Sequence, residues 1–119
     1  MRIGMTLIAA GLASAITPAV ADTWDGAYGG TIVSTYADGR VVDVFVNADH
    51  SYSITKADGT PILKGTWADA NGQSCFSQTD PPAPNGKPVC FPVKEYHVGD
   101  TLSGADPSGS FTSVIKAGR

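Results

Sequence analysis

Residues 41–67 read VVDVFVNADHSYSITKADGTPILKGTW. Val42, Val44 and Val46 share one face of an extended segment. Asp43 lies on the other face, between Val41 and Phe45. Asn47-Ala48-Asp49 interrupts the run, and Tyr52 and Ile54 then alternate with Ser51, Ser53 and Thr55. Asp58-Gly59 interrupts again, and a third segment runs on to Trp67. A period of two places apolar side chains on one side of a strand. Asp-Gly supplies the positive φ that tight hairpins demand. The stretch therefore predicts three antiparallel strands joined by two hairpins.

The same alternation extends outward in both directions. Turn signals recur at Asp38-Gly39, Asn71-Gly72, Asn85-Gly86 and Asp106-Pro107-Ser108-Gly109. Val89, Phe91 and Val93 alternate with Cys90, Pro92 and Lys94, and Phe111, Ser113 and Ile115 repeat the pattern. No segment after residue 21 carries an apolar period of 3.6 over ten residues. The expectation is an all-β antiparallel meander of about eight strands, near 27–36, 40–47, 51–56, 62–68, 73–78, 88–95, 99–103 and 110–117. An up-and-down barrel and a two-sheet sandwich both solve the edge-strand problem, and the pattern leaves the two open.

Residues 1–21 have a different character. Arg2 precedes an uncharged, mostly apolar run from Ile3 to Ile16; Pro18 and Ala19-Val20-Ala21 follow. This is the layout of a secretory signal peptide cut after Ala21. The run is too short, and too diluted by Gly4, Thr6, Gly11 and Ser14, for a spanning helix of about 20 residues. No later stretch is apolar enough to span a bilayer. Residues 22–119 then form a single small β-domain, periplasmic or secreted, with no linker or internal repeat. Its formal charge is −4, because the cut removes Arg2 from a chain of net charge −3. Basic residues are scattered from Arg40 to Arg119, which argues against nucleic acid and against anionic membrane surfaces.

Gly65-Thr66-Trp67 puts a glycine and a tryptophan on one strand face. The glycine makes room for a neighbouring ring or backbone, and the indole fills one end of a core. Trp24 and Tyr28 are expected to serve the other end. A Gly-x-Trp strand in a small meander resembles the lipocalin and avidin type of barrel, although lipocalins carry that motif on the first strand. The layout Tyr28-Gly29-Gly30-Thr31, Tyr52 with Asp58-Gly59, Gly65-Thr66-Trp67, then Cys75 and Cys90 also resembles a group of small exported bacterial proteins of unassigned function. That resemblance covers residues 28–92. It implies an extracytoplasmic β-domain and transfers no catalytic residue.

The only two cysteines bracket the stretch SCFSQTDPPAPNGKPVCF, residues 74–91. Export and an even count make a Cys75–Cys90 disulfide the default. Pro81, Pro82, Pro84 and Pro88 stiffen the enclosed loop. Phe76 and Phe91, each one residue past a cysteine, face the opposite side and are placed to pack together. Asp80, Pro82, Asn85 and Lys87 are the binding candidates on this loop. Lys94, Tyr96 and His97, with Glu95 between, form a second candidate patch.

Recognised catalytic patterns are missing. Two lone histidines, His50 and His97, and two distant cysteines do not make a zinc set. Asp69-Ala70-Asn71-Gly72 reads as a hairpin turn rather than a calcium loop. There is no Gly-x-Ser-x-Gly elbow, phosphate loop or dinucleotide fingerprint, so no cofactor is implied. Three functions stay in play. The first is a non-catalytic binding or structural module of the cell envelope or secreted space, with an unknown protein or small ligand as partner. The second is an inhibitor of an extracytoplasmic hydrolase acting through loop 76–89. The third is a small hydrolase using scattered carboxylates. A ligand-sized cavity lined by Trp67, Tyr52 and Ile54 selects small-molecule binding; an exposed rigid loop selects inhibition; a cleft holding Glu95, His97 and aspartates selects catalysis.

Overall fold

The structure, a computed structural model, describes residues 23–119. The signal segment expected at 1–21 lies outside the described residues. A short 3-10 turn at Asp25–Ala27 precedes eight strands: β1 Thr31–Tyr36, β2 Val41–Val46, β3 Ser51–Lys56, β4 Pro61–Ala70, β5 Gln73–Asp80, β6 Val89–Pro92, β7 Thr101–Asp106 and β8 Gly109–Lys116. All pairs are antiparallel, in the spatial order β6-β5-β4-β3-β2-β1-β8-β7. The last hairpin thus extends the sheet beyond the first strand, and the sheet curls until its edge strands β6 and β7 approach each other, giving a nearly closed barrel rather than a sandwich.

The alternation read from the sequence sets the inside. Ile32 pairs with Val44 on one side and Ile115 on the other, and Val46 pairs with Tyr52. Because the side-chain period is two, this register sends the whole apolar set inward. The gap between edge strands β6 and β7 is filled by side chains instead of ladder bonds. Phe91 of β6 meets Phe111 of β8 with ring centroids 6.2 Å apart. Gly104 of β7 leaves the space these rings occupy; a Cβ there would stand 2.9 Å from Phe91 and 2.8 Å from Phe111.

One end of the barrel is plugged by aromatic rings. Trp24, only 1% exposed, stacks on Tyr96 at 4.4 Å and meets Phe76 edge-on at 5.3 Å. Its indole N–H donates to Ser74 Oγ at 2.7 Å, so the buried polar atom is satisfied. Truncating such a ring to alanine typically costs about 3–5 kcal/mol. Trp67 occupies the same end. Its indole N–H donates to the Asn47 carbonyl at 3.0 Å, and the His50 ring stacks on it at 4.1 Å. Tyr28 approaches Trp67 at 6.5 Å. The expectation that Trp24 and Tyr28 serve the end opposite Trp67 is thus corrected: all three lie at one end. Arg119 clasps the rim there, donating to the carbonyls of Gly30 and Val46 and to Asn47 Oδ1 at 2.7–2.9 Å.

Three strands are shorter than expected: the second by one residue at each end, the first and sixth by more. The first begins at Thr31 rather than 27, because residues 25–27 wind into the 3-10 turn that seats Trp24. The sixth ends at Pro92 rather than 95. Proline brings no N–H to a ladder, and the chain then leaves the sheet so that Tyr96 can reach Trp24. Asn71 and Gly72, with φ of 55° and 77°, form the tight β4–β5 hairpin expected of Asn-Gly.

Candidate functional site

The opposite end of the barrel is not plugged. An apolar cavity of about 100 Å³ runs from the Trp24 plug to the surface at Lys87 and Pro107. Each strand contributes to its wall through the inward face just described. Val44, Ile54, Leu63 and Leu102, all half-buried, make the apolar lining, while Phe76 and Phe91 form the floor with Trp24. Tyr52 and Ile54 line it as anticipated. Trp67 does not; its ring stays in the packed core at the closed end. For scale, a closed dry cavity of about 150 Å³ accepts a benzene ring; this one is smaller but open at its mouth, so it takes a short chain or a single ring whose edge projects into the entrance.

A few polar groups punctuate the wall. Ser34 and Ser113 face each other across the β1–β8 pair, their hydroxyls 2.6 Å apart and both buried. Nearer the mouth, the Tyr36 hydroxyl donates to Asp106 Oδ2 at 2.6 Å, and the Arg40 guanidinium lies 4.3 Å from the Tyr36 ring centre. Burial first, and then the bond to Asp106, pushes the Tyr36 phenol well above its usual range. Burial, helped by the negative charge of Asp106, pushes Tyr52 up to about 12. Both phenols therefore stay neutral over the whole physiological range.

The disulfide-closed loop forms one side of the mouth. Cys75 and Cys90 sit opposite each other on β5 and β6 and are bonded. Phe76 and Phe91 point to the other face and pack at 5.9 Å, as expected from their positions. Above them, Ala83 and Lys87 line the cavity entrance. Gln78 Nε2 donates to the Pro81 carbonyl at 2.7 Å, which ties the loop to β5. The Asp80–Pro81 peptide is cis. Asp80, Pro82 and Asn85 are exposed on the outer face; Asp80 lies 3.9 Å from Lys64, and Asn85 Oδ1 caps the Lys87 N–H. The four loop candidates therefore divide, with Lys87 at the cavity mouth and the rest facing solvent.

The second candidate patch does not survive as a surface. Tyr96 is 2% exposed and belongs to the plug, with its hydroxyl donating to the Pro92 carbonyl at 2.8 Å. Lys94 and His97 are exposed on the loop around it. Lys94 Nζ stands 5.0 Å from the Tyr96 ring centre, and His97 contacts Glu95 at 3.3 Å. The correction follows from the early end of β6, since residues off the ladder need not alternate. Asp100 Oδ2 accepts the His97 backbone N–H at 2.9 Å and so serves the loop's turn. Among the described residues no three His, Cys, Asp or Glu side chains converge to hold a metal, and no helix is long and apolar enough to cross a membrane.

Sequence reasoning missed Tyr36, Asp106 and the serine pair as cavity groups. Their only signal was the inward register, which places Ser34 and Ser113 among apolar neighbours. Comparisons with protein families, with curated proteins and with solved structures found no match to this chain.

Proposed function

We propose that this protein is an exported, non-catalytic binding module that holds a small, largely apolar ligand inside its barrel. The observation carrying this reading is the asymmetry of the barrel: rings seal one end, while the other opens onto an apolar cavity. A stability-driven core of this size would be filled, since voids cost contacts on every wall. The Cys75–Cys90 bond accords with an oxidising, extracytoplasmic compartment. It also pre-organises the loop beside the entrance, which lowers the entropy lost on binding. The resemblance to small exported bacterial β-domain proteins fits the same compartment.

The test is native mass spectrometry of the protein purified from its own cells without organic solvent. The expected result is a small non-covalent adduct that disappears in Val44→Phe, whose ring occupies the cavity. Recovery of adduct-free protein, or an adduct that persists in Val44→Phe, overturns the reading.

The exposed outer face of the 81–88 loop supports a second reading, inhibition of an extracytoplasmic hydrolase. Asp80→Arg/Pro82→Arg separates the two, because both side chains are exposed and neither lines the cavity. Inhibition is lost through the altered outer face, whereas a ligand held in the barrel stays bound.

A further inference from the structure

Tyr52 is 6% exposed, lines the cavity, and packs edge-on against Phe76 at 5.1 Å. Three of its polar neighbours in the wall are engaged with other groups. Tyr36 donates to Asp106, Trp24 donates to Ser74, and Gln78 donates to Pro81. The Tyr52 hydroxyl has no hydrogen-bond partner among the described residues. A buried phenol almost always finds one, and leaving it without one costs about as much as a lost hydrogen bond. The serine pair repeats the pattern. Ser34 and Ser113 share one hydrogen bond, so the accepting hydroxyl keeps its own O–H, and no acceptor for it exists among the described residues. Two unspent O–H donors thus belong to residues that line a largely apolar chamber.

Resting on the ligand-binding reading above, we infer that the barrel takes a neutral molecule of about one ring's size whose single acceptor oxygen receives the Tyr52 hydroxyl. The class is small ketones, aldehydes and similar carbonyl compounds. A hydroxyl can also accept, but the part left without a partner here is the O–H, so the ligand that satisfies it supplies an acceptor. The acceptor at Tyr52 is uncharged because Asp106 is the charge felt there, while Lys87, the cation of the lining, stands exposed at the mouth; an anion beside Tyr52 would be both desolvated and repelled. The apolar lining supplies affinity, and the hydroxyl supplies selection between a carbonyl compound and a hydrocarbon of the same shape.

The experiment measures binding of cyclohexanone and of toluene to the purified protein by shifts of interior methyl resonances, in wild type and in Tyr52→Phe. The expected result is a roughly fivefold weaker cyclohexanone Kd in Tyr52→Phe, with the toluene Kd unchanged. The infrared carbonyl stretch of bound cyclohexanone is expected at lower frequency than in hydrocarbon solvent, and this is readable in wild type even if the variant folds poorly. If the two ligands change in parallel, or the carbonyl band is unshifted, this inference is overturned while the cavity reading stands. If neither ligand moves an interior resonance, the cavity reading falls as well.

Discussion

Gly65 sits directly across the β3–β4 pair from Tyr52, and the Tyr52 ring lies where a side chain at 65 would begin. A Cβ at this position would stand 2.8 Å from the ring edge and would also strike the Ser77 carbonyl on β5. The ring has somewhere to move, but the β5 backbone does not. Gly65→Ala is therefore expected to destabilise by about 2–3 kcal/mol, which lowers Tm by roughly 10 °C or more in a domain of this size. Thermal unfolding measures it, and a loss below about 2 °C would show that the β4–β5 pair can spread.

The disulfide closes a loop with a sequence separation of 15. The chain-entropy model gives roughly 3 kcal/mol for such a closure. The double variant Cys75→Ser/Cys90→Ser leaves no free thiol and is expected to melt about 12 °C or more below the parent. Equal Tm values with and without the bond would remove it from the account of stability.

Acid sensitivity follows from the hairpin turns. Asp38 is held below the ordinary value of 3.8 by the backbone N–H and guanidinium of Arg40, Asp49 by the hydroxyl and N–H of Ser51, and Asp58 by Thr60. Depressed folded values mean that the ionised forms favour the native state. Their contribution is complete above the ordinary carboxylate range and fades as pH falls through the lowered values. Tm is expected to hold steady between about pH 7 and 5 and to drop below about pH 4. In Asp38→Asn/Asp49→Asn/Asp58→Asn the acceptor oxygens remain but no longer titrate, so the acid limb becomes shallower. An unchanged limb in that variant would assign acid loss to other carboxylates.

The alkaline side has the opposite sign. Burial raises Tyr52 from 10.0 to about 12, and raises Tyr36 and Tyr96 as well. The fold favours the neutral phenols; that contribution is complete below pH 10 and is lost above it as the unfolded chain ionises. Absorbance at 295 nm should therefore show the Tyr52 phenolate forming only near pH 12, and those of Tyr36 and Tyr96 forming above the ordinary tyrosine range, together with loss of near-ultraviolet circular dichroism. Ionisation of Tyr52 near pH 10 in folded protein would mean that water already reaches its hydroxyl.

Local signals carried the fold because a meander is made of local pairings. Val42, Val44 and Val46, then Tyr52 and Ile54, declare their face by alternation, and each Asp-Gly or Asn-Gly declares its turn. The site was less legible because its groups come from far-apart strands. Tyr36 and Asp106 meet only once β8 has curled back against β1 and carried β7 with it. Tyr96 was the clearest misreading. Charged neighbours on both sides mark it as surface, yet its burial is decided by Trp24 at the other end of the domain sequence. Barrel and sandwich could not be separated for a related reason. The choice turns on how far the whole eight-stranded sheet curls to bring β6 beside β7, and alternation within any one strand does not show it.

That pairing, from Thr31↔Lys116 through to Tyr36↔Phe111, also sets when the molecule can exist at all. A polypeptide delivered N-terminus first presents β1 with one bare edge until the final strand emerges. Trp24 likewise waits for Ser74, Phe91 and Tyr96. Loop-closure entropy over nearly the whole domain must be met before those contacts are made. The barrel is thus out of reach until the last strand is available to β1, however much of the meander has already paired.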